Sequence, residues 1–235
     1  LARPLKTHRR LRVITKIPAL ATLATEKRPS AKSILETLHS SLRSLGRDSV
    51  EVVLVHNAED LRGPFADVLA EALERARTSG LCAQVGVSGY DWVDVQEARL
   101  SFQPQVAQLP SSIYDQRLGP EQFVDALSSG IDLHVRSVYL QGILLTPPDS
   151  LPQTFAKLVE HQREFHEECA RRGVSPQQAC LAHLSSLKGV THIVVGVNSK
   201  TELSEAASAV ADPSQHGEWQ SYAVEDLGII DPRRW

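Results

Sequence analysis

Six short runs of apolar, largely β-branched residues recur along the chain, and segments with helical spacing lie between them. The runs are RVITKI (12–17), VEVVLVH (50–56), AQVGVSG (83–89), QVAQLP (105–110), IDLHVRSV (131–138) and THIVVGV (191–197). Runs this continuous suit strands buried on both faces, and their alternation with helices predicts a parallel sheet under helical cover. The intervening helices carry their own start and stop signals. SAKSILETLHSSLRSLG opens on Ser30, repeats Ile34, Leu35, Leu38, Leu42 and Leu45 at helical spacing, and closes on Gly46. GPFADVLAEALERARTSG has Pro64 near its first turn and Gly80 past its last. GVSPQQACLAHLSSLKG offers Ser175 as N-cap, Pro176 at the first helical position and Gln178 to close a capping box. No linker or low-complexity stretch divides residues 1–235, so a single domain is expected.

Composition narrows the function classes. The chain has 235 residues, 42% hydrophobic and 23% charged, the balance of a globular protein with ample material for a core. A net charge of −3 gives no electrostatic reason to expect nucleic acid or an anionic membrane as partner. No apolar run approaches membrane-spanning length, and the basic opening LARPLKTHRRLR lacks a secretory apolar stretch. Cys82, Cys169 and Cys180 stand far apart without a CxxC, which favours reduced thiols and a cytoplasmic location.

Parallel α/β chains are open doubly wound sheets or closed (β/α)8 TIM barrels. The GxGxxG fingerprint follows none of the runs, and GVSG has the wrong spacing. A barrel needs eight strands where six are visible, so a barrel reading expects about two further βα units before residue 12. The absence of any methionine agrees with that expectation. Barrel active sites lie at the C-terminal ends of the strands. Those ends are Lys16, His56, Ser88, Gln108, Arg136 with Ser137, and Gly196. Polar residues at strand ends are ordinary one by one. Lys16, embedded in VITKIP, is costly to bury without a partner or a purpose, and with His56 it points to chemistry.

The blocks VITKIP, SLRSLGRDSVEVVLVHNAED, GLCAQVGVSGYD, VAQLPSSIYDQR, HVRSVYLQGILL and GVTHIVVGVNSKTELSE resemble, in order, those of the aldo-keto reductases. The likeness spans roughly residues 11–206. It implies a (β/α)8 barrel, of which this chain covers about six units, with NADP(H), or else NAD(H), across the mouth. It also implies metal-free hydride transfer to a small aldehyde, ketone or sugar carbonyl. That family uses an Asp, Tyr, Lys and His tetrad. The resemblance puts the Lys at Lys16 and the His at His56. Tyr90, Tyr114, Tyr139 and Tyr222 do not match the catalytic position, so Asp and Tyr are expected in units before Leu1. Ser88 and Gln108 correspond to ligands of the nicotinamide carboxamide. The usual Asn is Gly89 here, and Arg136 replaces the aromatic ring that stacks on the nicotinamide. By the same resemblance Ser137, Gln141, Gly142, Gly196, Asn198, Ser199 and Lys200 are cofactor contacts.

Residues 196–202 read two ways. Ser199 and Glu202 form an S-x-x-E capping box, which needs no ligand. Lys200 at a helix start opposes the macrodipole unless an anion is near, which favours a 2′-phosphate. Glu202 stands where many NADP-preferring relatives carry Arg, which weakens that preference. Elsewhere, His161, His166 and Cys169 in EHQREFHEEC lack a third ligand at metal-site spacing and read as a solvated helix face. Cys82 and His134 read as packed residues, and TPPDSLP (146–152) as a turn-rich loop. Two other function classes compete: a non-catalytic nucleotide-binding or interaction protein of the same fold, and a barrel enzyme with Lys16 as Schiff-base nucleophile. The oligomeric state is left open.

Overall fold

The computed structural model describes residue 5 and residues 8–23, 29–211 and 217–235. Six strands follow one another along the chain, β1 (Ile14–Ile17), β2 (Val50–Val55), β3 (Cys82–Ser88), β4 (Val106–Pro110), β5 (Asp132–Arg136) and β6 (Val190–Ile193); β1 to β4 pair in parallel in chain order, and β5 pairs in parallel with β6. The longer helices are α1 (Ala31–Leu45), α2 (Ala66–Thr78), α3 (Trp92–Ser101), α4 (Pro120–Ser128), α5 (Val159–Arg172), α6 (Pro176–Ser186) and α7 (Lys200–Ala211). The result is the parallel α/β architecture that the alternating runs predict. Two compact units share these elements: residues 1–109 with 129–132, and residues 110–128 with 133–235.

In the first unit each helix returns the chain to the start of the next parallel strand. α1 forms where its caps and its apolar stripe coincide. Ser30 Oγ accepts the Ser33 N–H at 3.2 Å, and Ser33 Oγ accepts the Ser30 N–H at 3.0 Å. Ile34, Leu38 and Leu42 repeat every four residues and are buried. Gly46, at φ 66°, ends the helix in the left-handed conformation that glycine adopts without a Cβ penalty. β2 has strands on either side and is buried at Val50 and from Val52 to Val55. The register Lys16, Leu54, Gly86 and Val106 crosses all four strands. Val52, Leu54 and Val106 form a core cluster on that face. Gly86 is glycine because of crowding there: a Cβ would overlap the Val106 carbonyl oxygen and come within 2.9 Å of Leu54 Cδ2.

The core of the second unit contains a polar side chain, Gln162, that is satisfied internally. Gln162 on α5 is fully buried; its oxygen accepts the Tyr114 hydroxyl at 2.7 Å. Its nitrogen donates to the Ile143 and Thr146 carbonyls at 2.9 and 2.8 Å. Phe165 meets Tyr114, Trp219 and Tyr222 edge-on, and the Arg172 guanidinium lies 4.6 Å from the Trp219 ring centre. One face of α5 is therefore core, at Gln162, Phe165 and Cys169, and not wholly solvated. α6 begins with its capping box: Ser175 Oγ accepts the Gln178 N–H, and Gln178 Oε1 accepts the Ser175 N–H. β5 and β6 pair with an irregularity between Leu133 and His134, and the buried His134 ring lies 4.2 Å from that of His192, tilted by 47°.

Candidate active site

Lys16, Ser88 and Gln108 converge. Ser88 and Gln108 are register partners, two residues beyond Gly86 and Val106 on the same face of their strands. The half-buried Lys16 stem reaches from β1 across β2. Its ammonium donates to Gln108 Oε1 at 2.6 Å and to Ser88 Oγ at 3.1 Å. Both acceptors are almost fully buried. The side chain between them and Lys16 on β2 is apolar Leu54, so neutral oxygens hold the charged group at the end of an apolar sheet. Charge-assisted bonds of this kind fix a lysine tip better than water does.

His56 follows the last residue of β2. Its backbone N–H continues the ladder to the Ile17 carbonyl at 3.2 Å, and its side chain is exposed. Beyond it, Asp60 Oδ2 accepts the Leu20 N–H at 2.8 Å, tying the turn after β2 to the turn after β1. Gly89 has a physical cause that sequence reasoning did not find. A Cβ there would lie 2.6 Å from Asp94 Cβ and 2.7 Å from Asp94 Oδ2. Asp94 occupies that space because it caps α3: Asp91 accepts its N–H at 3.2 Å, and its own carboxylate accepts the Tyr90 N–H at 2.6 Å. Arg62 braces the same carboxylate at 2.7 Å and also pairs with Glu59 and Glu97.

The other expected residues belong to the second unit and gather around a cavity of about 750 Å³. Arg136, Ser137, Gln141, Gly142, Gly196 and Asn198 line it. So do Tyr139, Gln177 and Glu202, which the sequence reading did not propose as contacts. Arg136 Nη1 donates to Ser137 Oγ at 3.1 Å. Ser137, Leu140 and Gln141 have φ of 61°, 45° and 55°, so this wall is held in a conformation that side chains disfavour. Burial pushes the Tyr139 phenol up to about 12. Ser199 and Lys200 are not among the lining residues. Ser199 Oγ accepts the Glu202 N–H at 3.1 Å, and Glu202 Oε2 accepts the Asn198 N–H at 2.7 Å. Ser199 thus caps the first turn as S-x-x-E expects, but the Glu202 carboxylate takes the Asn198 N–H, one residue before the N-cap, so the reciprocal half of the box is displaced and the carboxylate stands at the cavity edge.

The remaining candidates have structural partners. His161 Nε2 lies 3.0 Å from the Tyr222 carbonyl and His166 Nε2 3.0 Å from that of Leu144. Cys82 is buried, and burial pushes its thiol up to about 11. No helix among the described residues is long and apolar enough to cross a membrane.

The fold matches solved structures of known enzymes. Aldo-keto reductase AKR11C1 from Bacillus halodurans in its holo form superposes with a TM-score of 0.74 at 21% identity, over 100% of this chain and 79% of that one. Its apo form gives 0.71 at 19%, over 100% and 78%. The thermostable aldo-keto reductase Tm1743, solved with the inhibitor epalrestat, gives 0.69 at 19%, over 94% and 75%. No curated protein sequence matches. The family model of the aldo/keto reductases matches residues 1–223, nearly the whole chain. The chain belongs to the aldo/keto reductase family.

Proposed function

We propose that the protein is an oxidoreductase that reduces an aldehyde, ketone or sugar carbonyl with a nicotinamide dinucleotide. The observation that carries this reading is the Lys16 ammonium, anchored by Ser88 and Gln108 at the ends of parallel strands. The dinucleotide supplies the hydride, which leaves negative charge on the carbonyl oxygen. Lys16 stabilises that developing oxyanion, directly or through the acid that protonates it. His56, next to the end of β2, orients the carbonyl oxygen.

The residues of the second unit's cavity suit such a cofactor. Its volume lies in the range of small-molecule sites. Arg136 supplies a cation for phosphate, and a Cβ added at Gly142 or Gly196 would meet nothing within 4 Å, so backbone there is open to close approach. NADP(H) is the cofactor the resemblance favours. Glu202 is a specific observation for NAD(H), because its carboxylate at the cavity edge repels a 2′-phosphate.

Lys16→Met in the full-length protein tests the assignment. It should retain NADPH binding and lose carbonyl reduction by about a hundredfold or more, since the oxyanion exists only in the transition state. Near-native turnover in that variant would remove Lys16 from the chemistry. A second reading, a non-catalytic nucleotide-binding protein, draws on one fact: Lys16 occupies the same two side chains that a nicotinamide carboxamide would use. Cofactor binding without oxidation by any of a panel of aldehydes, ketones and sugars would favour it.

A further inference from the structure

A second cavity, of about 480 Å³, lies within the second unit between α4 and α6. Its lining shares no residue with that of the cavity beside Arg136. Leu118, Phe123, Val124, Leu127 and Leu187 make it mostly apolar. Val124 and Leu127 are 64% and 59% exposed, so the cavity opens to solvent along an apolar edge. Two basic side chains interrupt the lining. His183 from α6 is only 3% exposed, and among the described residues no hydrogen bond engages its ring. Lys188, just past α6, is exposed at the rim. Among the described residues no acidic side chain lines the cavity.

We propose that this cavity binds a small amphipathic carboxylate, an aromatic or aliphatic body carrying one anionic head. The body fills the apolar walls and releases their water. The carboxylate meets the Lys188 ammonium, and the His183 ring gives a polar contact within the lining. Burial pushes the His183 imidazole down to about 4, so at neutral pH it serves as a neutral hydrogen-bonding group. Among the described lining residues the only formal charge at neutral pH is then the positive one of Lys188, which selects an anion over a cation.

Titration of the whole protein with 4-phenylbutyrate, followed by calorimetry and by the imidazole NMR signals, tests the site. A His183→Gln variant assigns the His183 resonance. Saturable one-to-one binding is expected, with the His183 signal shifting and with no competition from NADPH. The neutral analogue 4-phenylbutanol should bind about threefold to fivefold more weakly, the range of a solvent-exposed ion pair, and Lys188→Gln should abolish that difference. Leu127→Glu, at an exposed wall position, should weaken the carboxylate further by placing a like charge beside it. Absence of saturable binding, indifference to Leu127→Glu, equal affinity for the alcohol, or displacement by NADPH would each overturn the proposal.

Discussion

Gly89 stands where the resemblance puts an asparagine, and the reason lies outside the candidate active site. The Asp94 carboxylate, which closes the capping box of α3 opposite the N-cap Asp91, fills the space that any side chain at 89 would need. A residue drawn from a family pattern can thus be set by a neighbouring cap. Glu202 shows the same overlap of roles. It caps α7 and also edges the cavity assigned to the cofactor. Glu202→Gln should keep much of the cap, because glutamine also serves in capping boxes, while it removes the charge. The ratio of NADPH to NADH affinity should rise by about threefold to tenfold at low ionic strength and shrink as salt is added. An unchanged ratio, measured by fluorescence titration of both cofactors, would place the carboxylate away from the 2′-position.

Elements whose ends are marked by their own side chains were legible in the sequence. Ser30 with Gly46, and Ser175 with Pro176 and Gln178, bound α1 and α6 at the residues expected. Ser175→Ala should cost about 1 kcal/mol and lower the thermal midpoint by roughly 2–4 °C, a change that calorimetry resolves. α2 was less legible. It begins at Ala66, after Pro64, and its N-cap is Phe65, which offers no side-chain acceptor. THIVVGV suggested a strand to residue 197, yet β6 stops at Ile193. The ladder runs one residue further, with the Val194 N–H on the Val135 carbonyl at 2.7 Å; its partner β5 then ends at Arg136 and turns at a left-handed Ser137. α5 misled for a different reason. A glutamine marks its buried stripe, and the carbonyls of Ile143 and Thr146 with the Tyr114 hydroxyl, all distant in sequence, explain why a polar side chain belongs there. Of the candidate site, the strand-end positions were readable because a parallel strand delivers its last residue to one edge. That Lys16 bonds Ser88 and Gln108 depends on register and side-chain reach, which no spacing in the sequence encodes.

For the molecule as a whole, His183 makes one contribution to the loss of stability in acid. Its folded-state pKa of about 4 lies below the ordinary histidine value because burial disfavours the charged ring. Unfolded chains therefore bind the extra proton first as pH falls. The stability is complete above about pH 6.5, declines through the interval below it, and is fully lost once the folded-state pKa is passed. Between about pH 7 and pH 5 this single group should account for about 2 kcal/mol of lost stability. Denaturant titrations at the two pH values should show that much less pH dependence in His183→Gln than in the native protein. Equal dependence would mean that the ring is hydrated in the folded state. The turn after β5 sets a different limit. Ser137, Leu140 and Gln141 each hold left-handed angles, at roughly 1 kcal/mol apiece for side-chain-bearing residues. Gln141 is exposed, so Gln141→Gly gives up no packing and should raise the thermal midpoint by roughly 2–4 °C in a melting experiment. It would also let the wall of the Arg136 cavity wander. Under selection for heat tolerance alone, position 141 is where descendants of this sequence would be expected to change early; under selection for ligand fit, it is where they would hold still.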